Sequence, residues 1–125
     1  MNIWLAIALG GAGGAISRYW VMTQTAAWLG KGFPYGTLSI NVVGSFLVGF
    51  LSIVLVQKLN APEVMKLAII VGFLGSFTTF STFSLDVLNA VLAGHHFKAL
   101  AYIFSSVFTS LLGIWLGYLL AKSFA

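Results

Sequence analysis

The chain has 125 residues, of which 60% are hydrophobic and 6% charged, with six Lys and Arg against two Asp and Glu. A soluble domain carries about 25% charged residues, so most of this surface must face lipid or other protein. The absence of cysteine excludes disulfides and thiolate metal sites; the basic residues, single and scattered between apolar runs, exclude a nucleic-acid surface and read as interfacial anchors.

A membrane-spanning helix needs about 20 mostly apolar residues, and the sequence divides into four such runs. The first, 3–27, ends before Gly30, Lys31, Gly32 and Pro34. Within it Ala6, Gly10 and Gly14 recur every fourth residue, with Gly11 and Ala15 beside them. That spacing lets helix backbones approach closely in lipid. Arg18 lies about 24 Å along this helix at 1.5 Å per residue, which predicts a place near the interface the helix approaches.

The second run, 36–57, is bounded by Lys58, Asn60 and Pro62. Asn41 sits about a turn and a half into it, followed by Gly44, Ser45 and Val48 on a similar face. A buried amide in hydrocarbon must be hydrogen-bonded, either to another helix or to something passing along a pathway. Ser45 and Gly49 repeat the small-residue spacing.

The third run, 64–93, is too long for one simple span and is interrupted by Gly75-Ser76-Phe77-Thr78-Thr79. Glycines, paired threonines and a run of hydroxyls are poor material for the middle of a helix. Non-helical backbone at membrane depth is tolerated only inside protein or against a cavity, where its freed carbonyls suit a cation. A half-helix starting near Thr79 would also present N–H groups suited to an anion. Phe77, Phe80 and Phe83 repeat every third residue, a spacing open to ordinary packing in a chain with eleven Phe. Yet aromatic rings have positive edges, and such edges beside Ser and Thr hydroxyls also suit a small anion. Asp86 is the only acid within a run and is expected to pair with a polar neighbour or to sit near the interface. A proton-coupled exporter needs a titrating carboxylate within its pathway.

The fourth run, 98–121, follows Gly94-His95-His96 and ends at Lys122. Tyr102, Ser106, Thr109 or Ser110, and Gly113 fall on one helical face. Single hydroxyls in membrane helices usually bond back to their own carbonyls, but a whole stripe headed by Tyr102 can line a hydrated track. Gly113 and Gly117 continue the small-residue pattern. The adjacent His95 and His96 lack further ligands, and no nucleophile–base pair occurs, so neither a histidine metal site nor an enzyme is expected.

Loops this short hold no extramembrane domain, so 1–125 is expected to be a single transmembrane domain. Small-residue ladders on three helices, in a chain with little interior of its own, predict an oligomer. With four spans, Lys58, Lys66 and Lys122 lie on one side and Arg18, Lys31 and Lys98 on the other. Orientation normally follows a Lys/Arg excess, and three against three gives none. Either a partner or the insertion machinery settles the orientation, or copies insert both ways and pair antiparallel.

Three elements together carry a resemblance: Gly10-Gly11-Ala12-Gly13-Gly14-Ala15 with Arg18-Tyr19; Pro34-Tyr35-Gly36-Thr37-Leu38 leading to Asn41; and Gly72-Phe73-Leu74-Gly75 through Thr78-Thr79-Phe80-Ser81-Thr82-Phe83. The sequence resembles the Fluc (CrcB) family of fluoride channels over all four runs. The resemblance implies an all-α membrane protein with a broken third helix, forming an antiparallel, dual-topology homodimer in a bacterial plasma (inner) membrane. It further implies a structural Na⁺ held by backbone carbonyls of both subunits, which by position are those of Gly75 and Thr78. Two fluoride pathways per dimer are implied, lined by Phe80 and Phe83 with Asn41, Tyr102, Ser106 and Ser110, and with Ser81 and Thr82 as further contributors. Arg18 is expected to support the vestibule electrostatically rather than to bind the ion. The implied role is passive export of cytoplasmic fluoride. Two rivals fare worse on the residues. A small multidrug-resistance-type exporter needs a carboxylate in the first helix, and 3–27 contains none. A non-transporting scaffold subunit needs no polar residues aligned on three helices.

Overall fold

A computed structural model describes residues 1–124 and is all-helical, with no strand among those residues. Helix α1 (Ile3–Leu29) starts where the Asn2 side chain accepts from the Trp4 N–H at 2.7 Å. It ends at Gly30, whose φ of +78° is open to glycine at no steric cost. Helix α2 (Tyr35–Ile53) runs on into a π-helical turn, Val54–Lys58. The third segment is composite. A short α3 (Glu63–Lys66) leads into a π-helix, Leu67–Leu74, and then into α4 (Gly75–Phe77). The chain becomes extended at Thr78 and Thr79 and resumes as α5 (Phe80–Leu92). Helix α6 (His96–Ser123) follows a turn at Gly94, also at positive φ.

The helical ends fall within two residues of the limits read from the sequence. Three helical stretches are long and apolar enough to cross a membrane: Tyr35–Lys58, Glu63–Leu92 and His96–Ser123. Helix α1 is long enough, with 27 residues, but is not among the three. Gly10, Gly11, Gly13, Gly14, Arg18 and the Thr23-Gln24-Thr25 run dilute its hydropathy. Large apolar side chains face outward on every long helix, including Trp4, Trp20, Val43, Val71, Phe80, Phe97 and Phe108. An outer surface of this kind is stable in lipid and not in water.

Packing occurs in two pairs: α1 lies against the π-helical half of the third segment, and α2 lies against α6. The small residues make both pairs possible. A Cβ added at Gly10 would run into the Ala68 carbonyl, and one at Gly14 into the Phe73 carbonyl. On the second pair, Gly49 meets the Ile114 carbonyl and Gly117 the Phe46 carbonyl. The small-residue ladders are therefore consumed within one chain. These glycines lend no support to an oligomer, because their partner helices are already present in the same molecule.

Arg18 also departs from expectation. Its Nε donates to the Ser76 carbonyl at 3.1 Å, so the guanidinium is level with the helix break rather than near an interface. The break explains this placement. A carbonyl that loses its helical partner at that depth needs another donor, and Arg18 is within reach across the α1 contact. Without Arg18 the interfacial count becomes three lysines (Lys58, Lys66, Lys122) against two (Lys31, Lys98).

Candidate functional site

The break in the third segment is held open by side chains. Asn41 Oδ1 accepts from the Thr79 N–H at 2.8 Å, while Asn41 Nδ2 donates to the Thr79 carbonyl at 3.1 Å. Thr79 Oγ1 in turn accepts from the Thr82 N–H at 3.0 Å and so caps α5. An α-helix pairs each carbonyl with the N–H four residues later. The diverted amides of Thr79 and Thr82 leave the Gly75 and Thr78 carbonyls without helical donors, as the break also leaves the Ser76 carbonyl that Arg18 takes up. The sequence places the start of a half-helix near Thr79 but does not assign its side chain a role. The signal was available, because Thr is a preferred N-cap with its hydroxyl turned to the amide three residues on.

Beside this break lies a groove of about 450 Å³ between α2, α5 and α6. It brings together Asn41, Phe80, Phe83, Ser106 and Ser110 from the expected set, and Thr78 and Thr79 join them. Its remaining walls are mostly apolar. The hydroxyls of Ser106 and Ser110 are buried yet have no hydrogen-bond partner. An unsatisfied buried polar group costs roughly 1–3 kcal/mol, so such a pair points to a ligand, water or a second chain. The neighbouring Ser and Thr hydroxyls of α6 are spoken for: Ser105 bonds back to the Tyr102 carbonyl at 3.2 Å and Thr109 to the Ser105 carbonyl at 2.5 Å.

Three expected residues lie off the groove. Ser81 Oγ is 3.1 Å from Thr79 Oγ1, and Thr82 enters through its backbone N–H. The Tyr102 hydroxyl donates to Asp86 Oδ2 at 2.9 Å, and its ring packs against Phe83 with centroids 5.1 Å apart. Phe83 is 8% exposed and also meets Phe80 at 5.4 Å, whereas Phe80 is 77% exposed at the open side of the groove. The stretch thus offers an amide, two free hydroxyls and two aromatic rings on one wall system, with no carboxylate among its lining residues. Such a set can replace the hydration of a small anion without trapping it.

A family model described as CrcB-like protein, Camphor Resistance (CrcB), matches residues 5–118. A Methylococcus capsulatus protein named fluoride-specific ion channel FluC is 48% identical over 126 residues, and the match covers 100% of this chain but 55% of that protein. Proteins of the same name from Magnetococcus marinus and Vibrio vulnificus are each 47% identical. These matches span 93% and 94% of this chain, and 94% and 93% of the relatives.

Proposed function

The chain belongs to the CrcB family, and on that premise we propose that it is a fluoride-selective channel exporting cytoplasmic fluoride passively across a bacterial inner membrane. In this reading all four long helices cross the bilayer, and two copies pair antiparallel to form two conduits. The observation that carries it is the groove at the break, where the unpartnered hydroxyls of Ser106 and Ser110 lie buried beside Asn41, Phe80 and Phe83. Fluoride is strongly hydrated, so a conduit must supply several successive donors, each weak enough to release the ion. An amide, hydroxyls and ring edges meet that requirement.

The dimer rests on the open side of the groove and on the weak lysine bias. Phe80 is largely exposed there, and a second copy would cover it and close the conduit. A lysine count of three against two gives little preference for one orientation. This support replaces the small-residue ladders, which are used up inside the chain.

The residues also fit a structural Na⁺. Hard cations take oxygen ligands, and unwound backbone carbonyls in membrane proteins coordinate Na⁺. Among the described residues no group of three His, Cys, Asp or Glu could hold a metal, so neutral oxygens must serve. The carbonyls of Gly75 and Thr78 have lost their helical donors, and a second copy would double the set. The ion would add a fixed positive charge between the two breaks and tie them together. Arg18, bonded to the Ser76 carbonyl between these two, supports the same loop and is not itself a fluoride site.

The test is reconstitution of the purified protein in liposomes, with efflux followed by a fluoride electrode. Rapid fluoride efflux without a proton gradient, and negligible chloride efflux, is the expected result. Vesicles that retain their fluoride would overturn the proposal.

A further inference from the structure

A second cavity, of about 410 Å³, lies at the end of the bundle where the 30–34 turn meets the end of α5 and the start of α6. Lys31, Lys98, His95, Asp86 and Tyr102 line it. Lys31 and Asp86 also line a smaller neighbouring cavity of about 300 Å³. Among the described residues the only ion pair within 4 Å is Lys66 with Glu63, at 3.3 Å. Asp86 instead accepts the Tyr102 hydroxyl. Both ammonium groups are therefore free of a contacting carboxylate, and two lysines stand against one aspartate in the cavity lining.

Its position gives this charge a use. Phe83 lines the groove and Tyr102 lines the second cavity, and their rings are in contact at 5.1 Å. This aromatic pair joins the lining of one space to the lining of the other. An anion gathered between Lys31 and Lys98 is then next in line for the donors around Phe83 and Ser106.

We propose that this cavity is an anion-gathering mouth, in which Lys31 and Lys98 raise the local concentration of small inorganic anions before they enter the groove. The inference rests on the reading of the chain as a fluoride channel. It departs from the sequence-based view of Lys31 and Lys98 as interfacial anchors. Field focusing of this kind raises the rate of ion arrival, depends steeply on ionic strength, and needs no tight site.

The experiment compares single-channel fluoride currents of the wild type and of a Lys31→Gln/Lys98→Gln variant in planar bilayers. Fluoride is held constant and ionic strength is set with an impermeant salt. For an ion about 10 Å from each ammonium in water, removing both charges should lower the current about two- to threefold at 0.01 M ionic strength. At 1 M, where the screening length is about 3 Å, the two proteins should carry the same current. A misfolded variant would lose current equally at both ionic strengths, and each single variant, expected to show about half the logarithmic effect, guards against that outcome. Equal currents at low ionic strength would overturn the proposal and leave the lysines as lipid anchors only. A wild type that passes no fluoride would instead overturn the channel reading on which the mouth depends.

Discussion

Replacing Asn41 by Asp separates the two tasks its side chain performs at the break. The substitution keeps an oxygen to accept the Thr79 N–H, now 2.8 Å from Oδ1. It removes the amide donor that reaches the Thr79 carbonyl at 3.1 Å and turns a carboxylate oxygen toward it. Losing one hydrogen bond and leaving a carbonyl unsatisfied costs about 1–3 kcal/mol. Thr79 lines the open groove, so water can reach its carbonyl and the lower end of that range is expected. The electrostatic effect on an anion is larger. A unit negative charge about 5 Å from a passing fluoride, at an effective dielectric constant near 20, opposes it by about 3 kcal/mol. That corresponds to more than a hundredfold loss of anion occupancy. Thermal unfolding in detergent should therefore change modestly while fluoride efflux from liposomes falls by about two orders of magnitude. A well-folded Asn41→Asp protein with efflux within a factor of ten of wild type would refute the placement of Asn41 on the ion's route. Asn41→Ala provides the complement. It frees both Thr79 groups without adding charge, so its damage should appear in stability first.

Ser106→Ala and Ser110→Ala should leave stability unchanged or slightly raised, because neither hydroxyl has a partner within the chain, while efflux falls; a drop in melting temperature without loss of flux would reverse that assignment. Phe80→Ile and Phe83→Ile should both reduce flux sharply with dimerisation retained by size-exclusion chromatography. Phe83→Ile should also lower the melting temperature, since that ring is buried against Tyr102 and the Phe80 ring is exposed. Gly14→Ala and Gly117→Ala each place a methyl group on a backbone carbonyl of the neighbouring helix. Such overpacking costs about 1–3 kcal/mol, measurable as lost yield and a lower melting temperature, whereas Gly32→Ala, with open space around it, should be silent.

Much of the site was readable in the chain because it depends on local chemistry. Glycines and hydroxyls at 72–79 weaken a helix wherever they occur, and an amide such as Asn41 in an apolar run demands a partner. The scarcity of charge likewise required a lipid-facing surface, and apolar runs of about 20 residues made its spans helical. The exact partners were not readable. A ladder such as Gly10 and Gly14 announces a close helix contact but not whether the facing backbone belongs to the same molecule. Only the packing of α1 on Leu67–Leu74 answered that, since hydrogen bonds and van der Waals contacts form with whatever surface arrives. Arg18 was misplaced for the same reason. Its depth along α1 was known to within a turn, but the free Ser76 carbonyl that holds it exists only once the third segment has broken. The stripe on α6 was likewise split: Tyr102 was drawn to Asp86, Thr109 bonded back to its own helix, and Ser106 and Ser110 were left facing the groove. Sequence fixes where a helix must fail and which groups need partners; the fold decides which of those groups remain free, because each hydrogen bond made inside the chain removes one from the ion's path.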